Sequence, residues 1–235
     1  MPLARAPPVM EMRLPFPSAP KSLAPGVEIR AVTPEDRNAL ADLCTDSFFG
    51  EHTFTDGPFI FLQRLQILLT VRSQLERRIG FEGDDRECRF IVAEDTETGR
   101  ICGCLDMAVH LWDREERRFW LTLDEMPEIE RGRFVWRPYL ASVAVAKKDR
   151  RRGVARRLVR EGERLARKWG HREIYLEVAQ SNAPAIGFYN RVGYRTVIAW
   201  PQGQAAGGAT EVTRDGFRWV VRQTDKFILK KPLLF

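Results

Sequence analysis

Five cations crowd into the seven positions Lys147-Lys148-Asp149-Arg150-Arg151-Arg152-Gly153, and the chemistry they suggest is the holding of an anion. Gly153 lets the backbone come close to whatever those cations hold. Between Lys147 and Arg172 there are twelve Lys and Arg against three Asp and Glu, a local charge of +9 in a chain whose total is +6, so the remainder carries −3. A polyanionic ligand is therefore drawn to one region and not to the surface at large.

Two elements must position this turn. Before it, Tyr139 to Ala146 is a bounded run of small and β-branched residues, suited to a central strand buried on both faces. After it, Val154, Ala155, Leu158, Val159, Leu165, Ala166 and Trp169 recur at spacings of three and four, with arginines at 156, 157, 160, 164 and 167 between them. That is an amphipathic helix with one packed and one solvated face. A helix N-terminus offers unpaired N–H groups and a partial positive charge, so a pyrophosphate fits where strand, turn and helix meet. A basic run taken alone is more often a solvated loop. The order strand, glycine-bearing basic turn, helix start is what favours binding. Nucleic acid is the competing partner for a basic patch. The run has no interleaved aromatics, and the chain carries no zinc-finger or RNA-binding signature, so a nucleic-acid role is not expected.

Arg150-x-x-Gly153-x-Ala155 after a Val-x-Val strand resembles the acyl-CoA signature of the GNAT N-acetyltransferase superfamily. The resemblance continues downstream: Tyr175-Leu176-Glu177-Val178 looks like that family's next strand, and Asn182-x-x-Ala185-x-x-x-Tyr189-x-x-x-Gly193-Tyr194 like its following helix and turn. It covers roughly residues 27–229 and is strongest over 139–194. The cofactor it implies is acetyl-CoA, held by Val143, Ala144, Val145, Arg150, Arg151, Arg152, Gly153, Val154, Ala155, Asn182, Ala185 and Tyr189.

Acyl transfer from a thioester to an amine needs a neutral amine, a stabilised oxyanion and a proton for the leaving thiolate. By resemblance, backbone N–H groups near Val143 and Val145 hold the acetyl oxygen and the pantetheine arm, provided the strand is bulged or splayed from its neighbour. Tyr189 matches the tyrosine that many GNAT enzymes place beside the thioester sulfur as a proton donor; without the family pattern it reads as a helix tyrosine packed on the core. Glu177 and Tyr139 match positions where protein N-terminal acetyltransferases of the family carry water-ordering groups. A carboxylate orders water or binds an ammonium readily, but becomes an effective base only where its surroundings favour the neutral form. A strand glutamate is also commonly a plain exposed charge, and both readings stand. The run from Tyr139 to Lys147, with Arg151-Arg152-Gly153 and Lys168-Trp169-Gly170, resembles the plastid branch of GNAT proteins, which implies protein N-termini and lysines as acceptors and a plastid location. A small-amine acetyltransferase and an acyl-CoA binder without transfer activity are the alternatives.

The rest of the chain fits one domain with a leader. Residues 1–26 hold seven of the fourteen prolines and a single acid, Glu11, as a disordered leader or targeting remnant does. Residues 27–235 form the domain. Val27 to Val32 alternates as a first strand; Thr33-Pro34-Glu35-Asp36 opens a helix to about Phe48, and Asp56-Gly57-Pro58 opens a second in which Leu62, Leu65, Leu69, Leu75 and Ile79 recur. The segment between these helices walls the acceptor pocket in GNAT proteins, making Phe48, Phe49, His52 and Phe54 candidates. Residues 88–94 and 100–110 form a hairpin, and residues 113–138 an irregular charged insert. Ser181 or Asn182 caps the helix that Gly193 ends, and Pro201 to Gly216 is a Gly-rich mobile stretch. Residues 217–222 and 226–230 complete the sheet. Cys44, Cys88, Cys102 and Cys104 make neither a disulfide framework nor, without a second pair or a nearby His, a zinc site. They read as buried thiols, and no metal is expected. No apolar run approaches the roughly 18 residues of a membrane span. The fold expected is α/β (α+β): a mixed, twisted sheet of about seven strands, splayed near the fourth and flanked by helices. Oligomeric state is not legible.

Overall fold

The computed structural model describes residues 26–49, 58–79, 87–120, 132–200, 210–215, 218–223 and 225–234. Strands β1 (Val27–Ala31), β2 (Cys88–Asp95), β3 (Ile101–Asp113), β5 (Phe134–Val145), β6 (Glu173–Ala179), β10 (Lys226–Pro232) and β7 (Arg195–Trp200) lie side by side in the order β1-β2-β3-β5-β6-β10-β7. The short β4 (Arg118–Trp120) pairs back on β3 and makes an eighth strand. All neighbours are antiparallel except β5 and β6, which are parallel and joined through helix α3 (Val154–Lys168). Helices α1 (Arg37–Phe49) and α2 (Pro58–Ile79) belong to one face, with Leu40, Leu43, Cys44 and Leu75 packed on Phe90, Val92 and Cys104. On the other face α3 and α4 (Ala183–Arg191) bury Val154, Leu158, Val159 and Tyr189 against Leu105, Met107, Leu140 and Leu176.

Local signals explain the ends of these elements. The Thr33 N–H donates to the Asp36 carboxylate at 2.8 Å, and Pro34 opens the short 3-10 turn that leads into α1. Helix α4 stops where Gly193 takes φ 98°, so that the Gly193 N–H reaches the Asn190 carbonyl and the Tyr194 N–H the Tyr189 carbonyl. Gly170, at φ 85°, ends α3 in the same way.

Helix α3 sits close on the sheet, and Gly103 of β3 is what permits the approach. A Cβ added there would meet the Ala144 carbonyl oxygen, Leu158 Cδ1 and Val154 Cγ1, each at 3.0 Å. Backbone on one side and a packed core on the other leave little room to yield. Gly103→Ala is therefore expected to cost about 1–3 kcal/mol, read as a lower urea midpoint with an unchanged slope.

Two expectations are corrected. The irregular insert begins and ends as strand: β3 runs to Asp113, β5 begins at Phe134, and β4 lies between them. Charges made this stretch look like loop, but the buried Asp113 carboxylate is gripped by Arg133 at 2.8 Å and by the N–H groups of Glu115 and Glu116, while Trp112 and Phe119 stack with Tyr139 and Tyr175. The 217–222 stretch does not finish the main sheet. It forms β9 (Arg218–Gln223), which pairs with β8 (Thr210–Asp215) in a separate ribbon, and β10 inserts between β6 and β7. Alternation specifies a strand without specifying its neighbours. The second helix forms as expected, as α2; along it Leu62 and Leu69 are 61% and 56% exposed while Leu75 is buried. Residues 1–25 of the leader, 121–131 of the insert, 201–209 of the Gly-rich stretch, His52 and Phe54 lie outside the described residues. Among those described, no helix is long and apolar enough to cross a membrane, and no group of His, Cys, Asp and Glu gathers as a metal site.

Candidate active site

The site begins with a failure of pairing. Strands β5 and β6 run side by side at Tyr139 and Tyr175 and at Leu140 and Leu176, and there the ladder stops although both strands continue. At the same level β5 slips its register on β3 between Cys104 and Asp106, placing Ser142 and Val143 opposite the single residue Leu105. Ser142 takes φ 48°, a left-handed conformation that a serine adopts only where its surroundings impose it. The bulge bends β5 away from β6, and a wedge opens between them.

The wedge is a cavity of about 880 Å³ lined on β5 by Tyr139, Ala141, Ser142 and Val143, and on β6 by Glu177, Val178 and Ala179. The first turn of α4, with Asn182, Pro184, Ala185 and then Tyr189, forms one side. Cys44, Ser47 and Phe48 of α1 with Val71 and Leu75 of α2 form the other. Phe90 and Asp106 complete the floor.

The exposed edge of β5 supplies donors. The Ala146 N–H points toward β3, where it meets the Cys102 carbonyl at 3.0 Å. Since main-chain groups alternate in direction along a strand, Val145 and Val143 point the other way, to the side β6 has left. The Val145 carbonyl fits this, accepting Arg150 Nε at 3.1 Å. These two N–H groups are thus where an acyl oxygen and an amide-bearing arm could bind. Ala144, between them, turns its main-chain groups toward β3 and buries its side chain against α1.

The basic turn follows directly. Lys147–Asp149 make one 3-10 turn, Arg151 and Gly153 adopt φ 67° and 86°, and α3 starts at Val154 with its free N–H groups. Asp149 holds the turn together: 1% exposed, it pairs with Arg152 at 2.7 Å and with Arg100, from the β2–β3 turn, at 2.8 Å. Arg152 is consequently a structural cation of the turn. Asp149→Ala is expected to leave two guanidinium groups without their shared partner and to raise the KM for the anionic substrate severalfold, with kcat little changed. Kinetics at saturating acceptor read this.

Tyr189, Tyr139 and Glu177, the side chains expected to do chemistry, line the wedge together with Asn182 and Asp106. Asn182 caps α4 by accepting the Ala185 N–H at 3.1 Å, which fixes the helix that carries Tyr189. Asn182→Ala should lower stability by about 1 kcal/mol, seen in thermal unfolding. The Tyr189 ring packs edge-on against Phe188 and Tyr194, with centroids 5.2 and 5.6 Å away, and burial pushes its ionisation well above the ordinary tyrosine range. Its hydroxyl has no hydrogen-bond partner among the described residues and belongs to the cavity wall. Tyr139 lies in the aromatic cluster, 5.0 Å from Phe119 and 5.7 Å from His110. Its ionisation is pushed up by burial and by the nearby charge of Glu177. Glu177 is tied to Lys226 of β10, Oε2 to Nζ 2.9 Å, which neutralises its charge.

The expected site residues thus fall on one wedge and the turn at its end, apart from Ala144 and Val145, whose side chains pack into the cores on the two faces of the sheet. Phe48 reaches the cavity as expected. Sequence reading missed Asp106, Lys226 and the buried Asp149. Asp106 carried a legible signal, being the one charge in the apolar run 101–109. Lys226 did not, because nothing local places β10 beside β6.

Comparison with known proteins gives a match to the acetyltransferase (GNAT) family over residues 55–194, more than half of the chain. Two curated relatives come from Arabidopsis thaliana. GCN5-related N-acetyltransferase 4, chloroplastic, is 27% identical over 203 residues, 77% of this chain and 66% of its own length. GCN5-related N-acetyltransferase 7, chloroplastic, is 36% identical over 69 residues, 29% of this chain and 25% of its own. The chain therefore spans less than two thirds of the length of either. Among solved structures, the ribosomal-protein-S18-alanine N-acetyltransferase from Escherichia coli superposes with a TM-score of 0.53 at 17% identity, over 89% of this chain and 95% of that one. PaiA N-acetyltransferase from Thermoplasma acidophilum, in complex with coenzyme A, superposes with a TM-score of 0.54 at 16% identity, over 88% and 98%. Those two likenesses are of fold.

Proposed function

This chain belongs to the GNAT acetyltransferase family; from that premise we propose that it is an acyltransferase that uses acetyl-CoA and that its acceptor is a protein amine, an N-terminal α-amine or a lysine side chain. The wedge carries the reading. Its 880 Å³ is large enough for a thioester arm and for an amine with residues attached to it, to which Phe48, Val71 and Leu75 would offer an apolar wall. Support comes from the acceptor named for the Escherichia coli structure, a ribosomal-protein alanine. The chloroplastic relatives support a plastid setting.

Acetyl-CoA supplies the activated acetyl thioester. Residues of this chain supply the rest. The turn at Arg150, Arg151, Arg152 and Gly153, with the N–H groups of Val154 and Ala155 at the start of α3, holds the pyrophosphate. The Val143 and Val145 N–H groups receive the arm and steady the acetyl oxygen as negative charge builds on it, and Asn182 and Ala185 set the far wall. Tyr139 and Glu177, on adjacent strands, order a water that takes a proton from the amine. Tyr189, kept protonated by its buried setting, gives its proton to the departing sulfur. In balance, an N–C bond forms and a C–S bond breaks; of the two protons an ammonium acceptor loses, one ends on the thiol and one in solvent.

The test is acetylation of two peptide sets, one with free α-amines and blocked lysines, one the reverse, read by mass spectrometry. Modification in either set is expected. Thiol release with small amines and with no peptide would overturn the protein-acceptor reading.

A further inference from the structure

Helix α3 carries arginines at 156, 157, 160, 164 and 167, and the structure sorts them into two groups. Arg164 is paired with Glu161 at 2.6 Å, Arg167 donates to the Leu234 carbonyl at 3.2 Å, and Arg157 donates to the Val27 carbonyl. The side chains of Arg156 and Arg160 have no hydrogen-bond or ion-pair partner among the described residues. Four apart, they share one face of the helix, and that face lines a cleft of about 250 Å³ between α3 and the end of α4. Arg191, in the last turn of α4, lines the same cleft, and its side chain likewise has no partner among the described residues. Its guanidinium lies back over Gly187, one turn earlier, where a Cβ would stand 3.4 Å from Nη1. The acid in the cleft, Glu163, is already matched: buried, it accepts from Lys231 Nζ at 2.8 and 2.9 Å and lies 3.8 Å from Arg167. Three positive charges are therefore left facing one small space. Like charges four apart on a helix destabilise it, and an anion seated between them removes that cost.

We propose that this cleft is a binding site for a phosphate monoester, whose dianion Arg156, Arg160 and Arg191 hold together. Guanidinium forks match phosphate oxygens two at a time, and three of them on two helices suit a terminal phosphate with its three free oxygens. The space admits one phosphate and part of its carrier, and not a nucleic-acid strand. Its position names two sources. Strands β5 and β6 are parallel and each feeds its helix, so α3 and α4 start at the same end of the sheet, and Arg156 lies in the first turn of α3, beside the turn that receives the pyrophosphate. The 3′-phosphate on the ribose of acetyl-CoA is thus one source, and it rests on the acetyl-CoA reading of the site; a free phosphomonoester bound beside the cofactor is the other. In either case the cleft binds by charge and takes no part in the chemical step.

Arg156→Gln combined with Arg160→Gln removes two of the three charges and keeps most of the stems. Arg164→Gln, outside the cleft, is the control. By equilibrium titration the parent should bind acetyl-CoA about ten- to a hundredfold more tightly than 3′-dephospho-acetyl-CoA, the range expected for charge-assisted hydrogen bonds. The double variant should lose that preference and the control keep it, and in the parent it should shrink as salt is raised. That result makes the cofactor's own phosphate the occupant. Equal binding of the two cofactors by the parent, with inorganic phosphate binding to the acetyl-CoA-loaded parent and not to the loaded double variant, makes a free phosphate the occupant. Two outcomes overturn the site: neither a preference nor phosphate binding in the parent, or either one surviving undiminished in the double variant. Thermal unfolding checks that the variants fold; should the double variant fail, Arg191→Gln, exposed at the end of α4, carries the same comparisons. Failure of the acetyl-CoA reading shows separately, as a parent that binds neither cofactor. Inorganic phosphate titrated alone then tests the cleft: loss in the double variant is expected, and binding by neither protein, or equally by both, overturns it.

Discussion

Tyr189→Phe should fold normally, bind acetyl-CoA with unchanged affinity and transfer the acetyl group about a hundredfold more slowly. The ring stays where it is, since Phe188, Tyr194 and the core of α3 and β6 hold its faces and not its oxygen. The hydroxyl has no hydrogen-bond partner among the described residues, so its removal orphans nothing there. What disappears is a proton donor that burial keeps in its protonated form at neutral pH. General acids contribute about a hundredfold to ten-thousandfold, and a thiolate leaves comparatively easily, which places the expected loss at the lower end. Single-turnover measurement isolates the chemical step from product release. An undiminished single-turnover rate would show that the thiolate departs without help and that Tyr189 is a wall residue only.

How far the site could be read ahead depended on the range of the interactions that make it. The turn at Lys147 to Gly153 and the helix after it are local: composition, glycine placement and helical spacing lie within a single stretch, and the structure follows them closely. The same holds for α4, where Asn182 at one end and Gly193 at the other behave as caps because capping involves only neighbours in sequence. Ser142 illustrates the opposite case. Its left-handed conformation is imposed by the mismatch of β5 with β3, and nothing in Ala-Ser-Val-Ala says that a bulge falls there. The resemblance to a family supplied that expectation; the residues could not. Asp149 was visible as one acid among five cations, yet its role depends on Arg100, some fifty positions earlier in the chain, and on burial that the sequence does not reveal. Glu177 shows how a partner decides a role. Its strand and face were foreseeable, but Lys226 arrives on β10 after an intervening strand and a separate ribbon, and it turns a candidate base into half of an ion pair.

The same distinction governs the second large effect. Gly153→Val should weaken acetyl-CoA binding tenfold or more while leaving the melting temperature only modestly lower. Gly153 sits at φ 86°, where any side chain is strained and a β-branched one most of all, at a cost of about 1–2 kcal/mol. That strain can be borne in two ways. Either the turn keeps its shape and stability falls by that amount, or the turn relaxes and the N–H groups at the start of α3 swing away from the anion they are to hold. The second route costs the fold less, because Val154 and Leu158 anchor the helix independently in the core. Under the proposed binding mode it costs binding more, since the valine side chain would also enter the space where the backbone approaches the pyrophosphate. Gly153→Asn separates the contributions: asparagine tolerates the left-handed region, so a variant that recovers stability but not affinity identifies the lost close approach as the cause. Equilibrium titration with acetyl-CoA, alongside thermal unfolding of each variant, measures both quantities. Unchanged affinity in Gly153→Val would mean that the arginines alone hold the pyrophosphate and that the helix start is a bystander.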